Sequence, residues 1–97
     1  MATFLFVYRA PSEFSAPTPE GMAAWNSWFE TLGSAIVAPG NPVVGRTTVG
    51  DVTGSKPVGG YTVITADSLE SAAALAKGCP LVGTGGGVEV GELADMM

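Results

Sequence analysis

The chain has 97 residues, 46% of them hydrophobic and 13% charged, and nine acidic side chains against four basic ones give a net charge of −5. That composition reads as one folded domain rather than a disordered segment. Without a Lys/Arg cluster it argues against nucleic acid and anionic membranes as partners, and no run approaches the ~20 apolar residues of a membrane span.

The first strand is expected over residues 3–9 (TFLFVYR), with Phe4, Phe6 and Tyr8 on one face and Leu5 and Val7 on the other. Both faces are apolar, so a cover is expected on each side, the second supplied by a partner subunit. The opening MATFLFVYRA has neither a basic start nor a small-residue cleavage site and is not read as a signal peptide. A Pro/Ser-rich loop over 11–19 ends in a helix start, Thr18 as cap and Pro19 as first residue. The spacing predicts a helix over 19–32, with Met22, Trp25, Phe29 and Leu32 on the apolar face, Trp28 flanking it and Gly33 as the stop.

A short strand is expected over 35–38, followed by irregular chain at PGNP (39–42). Residues 43–52 (VVGRTTVGDV) read as a loose or edge hairpin, with GSKP after them. Gly59-Gly60 is expected to turn the chain into a strand over 61–66 (YTVITA). Asp67 then reads as N-cap, with Glu70 completing a capping box. Leu69, Ala72, Ala73 and Ala76 form a narrow, mostly methyl stripe suited to close packing on a sheet. Lys77 suits the helix end, Gly78 is expected in the left-handed cap and Pro80 forbids continuation. Residues 81–87 read as a glycine-rich connector. Residues 88–93 read as a last strand, with Val88 and Val90 inward and Glu89 outward. The order β-α-β-β-α-β predicts a ferredoxin-like α+β fold, two helices on one face of a four-stranded antiparallel sheet.

TPEGMAAW..W in the first helix, GNP after it, then GGY, ITADSLESAAALAKGCP and GGGVEV resemble the YCII-related proteins, in particular their DGPF-domain branch. The resemblance spans nearly the whole chain. It implies a ferredoxin-like fold that pairs through its sheets as a dimeric α/β barrel. The Asp-Gly-Pro-Phe tetrad itself is missing, since the matching segment reads VTGSKPVGGY over 52–61. Wider members are credited with a histidine–aspartate pair for acid–base work, and this chain has no histidine. The branch's gene context also implies alternative sigma factors as partners, for which an acidic body offers a docking surface.

Few residues here bear chemistry. Without histidine, a Ser-His-Asp or Cys-His system has no base. A metal site would need clustered carboxylates; Glu89, Glu92 and Asp95 need not converge and read as solvated, so neither metal nor cofactor is expected. Cys79, just past a helix end, reads as structural, because the dipole there disfavours a thiolate. The single cysteine forms no internal disulfide, and the expected compartment is the cytoplasm. GTGGG at 83–87 precedes a strand rather than a helix, so it lacks the converging N–H groups of a phosphate loop.

Trp25 reads as core, whereas Trp28, slightly off the stripe, is a candidate to line a cavity or a subunit contact. Tyr8, Arg9, Asp51, Lys56 and Tyr61 are the polar groups expected near the sheet face or its rim. Tyr8, Arg9, Trp28 and Lys56 are the candidate ligand-binding residues, with Arg9 able to pair with a carboxylate. Asp51 and Tyr61 are the candidate catalytic residues, Asp51 as general base and Tyr61 through its hydroxyl. The leading expectation is a small-molecule-binding homodimer, with a pocket between helices and sheet. The alternatives are a lyase- or isomerase-type enzyme on a small polar compound, and a regulatory protein partner.

Overall fold

The strand expected at the start of the chain spans Ala2–Arg9 (β1) and lies inside the sheet rather than at its edge. The computed structural model describes residues 2–10, 18–52 and 56–94. The remaining elements are α1 (Pro19–Leu32), a 3-10 turn (Gly33–Ala35), β2 (Ile36–Ala38), β3 (Val58–Ala66), α2 (Leu69–Ala76) and β4 (Gly87–Leu93). The sheet order is β2-β3-β1-β4, and every neighbouring pair is antiparallel. That is the ferredoxin-like arrangement the element order predicts. The loop over 11–17, Gly54 and Ser55 of the GSKP stretch, and Asp95 lie outside the described residues.

Strand alternation divides the sheet as expected. Phe4, Phe6 and Tyr8 of β1 join Thr62 and Ile64 of β3 on the helix-facing side; Phe4, Phe6, Thr62 and Ile64 are fully buried. Trp28 and Leu32 of α1 and Ala72 and Ala76 of α2 close this core. Each large apolar side chain removed from water there contributes about 1.5–3 kcal/mol. On the opposite side, Leu5 lies across from Val63, Val7 is flanked by Tyr61 and Glu89, and Leu5, Val7 and Val63 are only half-buried. No helix covers that side among the described residues.

Both helices start on side-chain caps. Thr18 Oγ1 accepts the Gly21 N–H at 3.1 Å, and α1 stops at Gly33, whose φ of +53° would strain any other residue. In α2 the cap is Ser68 rather than Asp67, its Oγ accepting the Ser71 N–H at 3.1 Å. Asp67, Ser68 and Ser71 all suit a helix start. Capping from Ser68 lets the helix begin one residue later, with Ala66 buried at the end of the strand. Gly78 is not left-handed; Lys77 ends the helix in αR geometry. The glycine serves close approach instead, because a Cβ there would lie 3.0 Å from Trp28 Cδ1.

Three other expectations change. Gly59-Gly60 do not turn but belong to β3, and a Cβ at Gly60 would fall 2.9 Å from the Asn41 carbonyl oxygen, so the glycine admits the Pro42 segment alongside. Residues 43–49 form no hairpin. Contact with β3 ends after the Pro42–Gly60 bridge and the Val43 N–H bond to Gly59, and Val44, Val49 and Val52 are exposed. Pro42 has no N–H to continue a ladder, and Gly45 and Gly50 give the segment little to pack. Trp28, expected to flank the stripe, is buried in the core, Trp25 is partly buried and packs against it, and Met22 is exposed.

Candidate functional site

The space between helices and sheet, where the sequence places a pocket, is filled by rings. Phe6 stacks on Trp28 with centroids 6.0 Å apart, and Tyr8 meets Trp25 edge-on at 4.9 Å. Trp28 also contacts Tyr8, Trp25 and Phe29. Its indole N–H donates to the Leu75 carbonyl at 3.0 Å, tying α1 to α2. The Tyr8 hydroxyl bonds to Thr62 Oγ1 at 2.5 Å, and Thr62 in turn donates to the Pro39 carbonyl at 2.9 Å. Since Thr62 has one proton to give, Tyr8 is the donor in the first bond. Two candidate ligand residues, Tyr8 and Trp28, therefore sit in the core with their polar atoms engaged.

Arg9 and Lys56 come together elsewhere, at the rim where β1 ends and β4 begins. Alternation puts Arg9 and Glu89 on the open sheet face, diagonally across the β1–β4 pair, where Arg9 lies opposite Gly87 and Val7 opposite Glu89. Arg9 Nε and Nη2 both donate to Glu89 Oε1, at 3.3 and 2.9 Å, and Nη1 donates to the Lys56 carbonyl at 3.3 Å. Lys56 Nζ donates to the Gly85 carbonyl at 2.6 Å. These contacts border a shallow cavity, largely open to solvent, of about 310 Å³, lined by Arg9, Lys56, Gly86, Gly87, Val88 and Glu89. That volume lies at the small end of the range for ligand pockets.

The glycine-rich connector shapes one wall. Val82 bridges to Gly86, and Gly83 and Gly85 hold φ values of +91° and +93° that favour glycine. A Cβ at Gly86 would lie 2.6 Å from the Arg9 carbonyl oxygen, so only glycine lets the connector close against the end of β1. Sequence reasoning treated 83–87 as a spacer and Glu89 as a solvated acid. The signal that would have paired Glu89 with Arg9 is the antiparallel match of FVYR with VEV, both carrying their charge on the face away from the helices.

The candidate catalytic residues are not at the cavity wall. Tyr61 is exposed on the open face, level with Val7 and Glu89 across the strands, and its hydroxyl accepts from Asn41 Nδ2 at 3.4 Å. Gly40 packs so closely beneath Tyr61 that no side chain fits there. Asp51 lies exposed in a bend outside any strand. Cys79 is a buried free thiol whose pKa burial pushes up from 9.0 to about 11, the opposite of an activated nucleophile. No group of three potential metal-ligating side chains occurs among the described residues. Nor is any helix among them long and apolar enough to cross a membrane.

The fold and sheet order thus define a ferredoxin-like α+β protein. The family model for the YCII-related domain matches residues 1–96, and the chain belongs to that family. Among solved structures it is similar to 5-chloro-2-hydroxyhydroquinone dehydrochlorinase (TftG) from Burkholderia phenoliruptrix AC1100 in complex with 2,5-dihydroxybenzoquinone. The TM-score is 0.62 at 19% sequence identity, covering 95% of this chain and 93% of that one. This likeness establishes a shared fold. No curated protein matches the chain.

Proposed function

We propose that this YCII-related protein, of the DGPF-type branch, binds a small molecule in the rim cavity and works in the cytoplasm as a homodimer paired through its open sheet face. One observation carries the reading. Arg9 and Lys56, singled out from the sequence as ligand residues, line the same cavity although they are far apart in the chain. The half-buried Leu5, Val7 and Val63 on the uncovered face support the pairing. Native mass spectrometry on gently purified protein tests both parts. The expected species is a dimer carrying a ligand of a few hundred daltons, lost in an Arg9→Ala/Lys56→Ala variant that keeps its melting temperature. A monomer that stays bare under all conditions would sink the reading. For the interface, Leu5→Glu or Val63→Glu should give monomer or aggregate, and a well-folded dimer surviving both would place the contact elsewhere.

A second reading, a lyase- or isomerase-type enzyme, is favoured by the place of Tyr61. Its exposed ring stands on the same face as Arg9 and Glu89, one strand away from Arg9. In that reading Tyr61 and Asp51 handle protons while Arg9 holds the substrate. Tyr61→Phe and Asp51→Asn should then abolish turnover of a small oxo or phenolic compound at unchanged melting temperature; unaltered turnover in both would end it.

A further inference from the structure

The rim cavity has an uneven charge balance. The chain carries only four basic residues, Arg9, Arg46, Lys56 and Lys77, within a net charge of −5, yet two of the four line this one cavity. Among the described residues that line it, one carboxylate, Glu89, stands against these two cations, in a predominantly acidic molecule.

Glu89 holds Arg9 in an incomplete way. Two parallel N–H groups of the guanidinium edge converge on one oxygen, Oε1, instead of spreading over both carboxylate oxygens. A free carboxylate meeting the same edge can make the bidentate pair, the stronger arrangement. The partners are also unequally anchored. The Glu89 side chain is 64% exposed, whereas that of Arg9 is 30% exposed and is further fixed through Nη1 to the Lys56 carbonyl. Within the single subunit Glu89 is thus the less constrained partner, and it can swing aside while Nη1 keeps the guanidinium aimed. Among the described residues Lys56 donates to Gly85, and its ammonium has three donors in all. Beside them Gly87 leaves open space, since a Cβ there would meet nothing within 4 Å.

We propose that the cavity takes a small monoanionic ligand, of the carboxylate class, whose anionic group displaces Glu89 from the Arg9 guanidinium edge while Lys56 adds a second contact. Glu89 is then an internal placeholder that keeps the fork ordered when the site is empty. This inference rests on the cavity being the ligand site, and it names what the ligand must carry.

The test titrates benzoate and its neutral isostere benzamide into the full chain, by calorimetry and by following the Arg9 Nε–H resonance. Benzoate should bind and shift that resonance, with benzamide at least about tenfold weaker. Glu89→Gln, which removes the competing charge at an exposed position, should bind benzoate about three- to fivefold more tightly, the scale of a rim ion pair. Gly87→Val, which fills the cavity without changing charge, should abolish binding at unchanged melting temperature. Benzoate binding no tighter in Glu89→Gln, or with the Arg9 resonance unmoved, overturns the placeholder. Equal affinity for both probes, lost in Gly87→Val, overturns the anion class yet keeps the cavity as a binding site. Failure of both probes to bind wild type and Glu89→Gln overturns this inference and the cavity reading together.

Discussion

Replacing Thr62 with valine changes no volume to speak of, yet it should be among the more damaging substitutions in the chain. Thr62 is fully buried and stands between two partners, accepting from the Tyr8 hydroxyl at 2.5 Å and donating to the Pro39 carbonyl at 2.9 Å. Valine keeps the shape and removes both bonds. Pro39 is exposed, so water can reach its carbonyl, but the Tyr8 hydroxyl is left in a pocket of rings with no acceptor. An orphaned buried donor costs about 1–3 kcal/mol, and the lost Pro39 bond adds about 0.5–1. The sum, about 1.5–4 kcal/mol, corresponds to a fall in melting temperature of roughly 6–30 °C for a domain of this size. Tyr8→Phe alone removes the donor and leaves Thr62 bonded to Pro39, so it should cost only about 1 kcal/mol. Urea unfolding, followed by the fluorescence of Trp25 and Trp28, gives all four corners of the cycle. In the Tyr8→Phe background the cost of Thr62→Val should shrink by about 1 kcal/mol, because no hydroxyl is then stranded. A cost for Thr62→Val below about 0.5 kcal/mol, or one identical in both backgrounds, would refute the reasoning.

Other perturbations have equally definite outcomes. Gly78→Ala should lower stability by about 1–3 kcal/mol and alter Trp fluorescence, because the added methyl meets a Trp28 ring held by Leu75; an unchanged spectrum and midpoint would count against the packing described. Gly40→Ala should be worse, at least about 3 kcal/mol, since its φ is +74° and its Cβ would overlap the Tyr61 carbonyl. Burial raises the Cys79 thiol from 9.0 to about 11 and the Tyr8 phenol from 10.0 to about 12. Both neutral forms are thus favoured in the fold: their contribution is intact below pH 9 and lost as the pH rises through 11 and 12. Denaturation midpoints should fall across that interval, and less steeply in Tyr8→Phe; a flat profile would contradict the burial of both groups.

How far the chain could be read in advance divides along a physical line. Alternation in TFLFVYR and YTVITA, the Thr18-Pro19 start and the Gly33 stop are local signals, and the structure keeps each of them. Local reading failed where several residues could serve one role. Asp67 and Ser68 are both good caps, and the choice between them follows from where the strand ends. The VVGRTTVGDV segment has strand-like side chains but joins no strand after the Pro42–Gly60 bridge, and pairing is a tertiary matter. The burial of Trp28 has the same origin: a stripe drawn on an isolated helix ignores the second helix, whose Leu75 carbonyl captures the Trp28 N–H. At the site, Arg9 and Lys56 were visible as isolated cations. Glu89 and the Gly86 contact were not, because their meaning depends on which strand lies beside β1.

The position of β1 has a consequence for how the molecule is made. β1 occupies the interior of the sheet, and both its neighbours lie far along the chain: Thr3 pairs with Thr65 and with Leu93. Neither ladder has a local nucleus, so the chain must close two long loops before its central strand is paired on either side. During translation Phe4, Phe6 and Tyr8 precede the residues of α1, β3 and α2 that bury them, so this apolar face stays uncovered until those elements have emerged. Until then the nascent chain carries a bare apolar strand, the kind of segment that general chaperones bind. Truncation from the C-terminal end should then abolish folding abruptly rather than by degrees, once β4 can no longer reach its place beside β1.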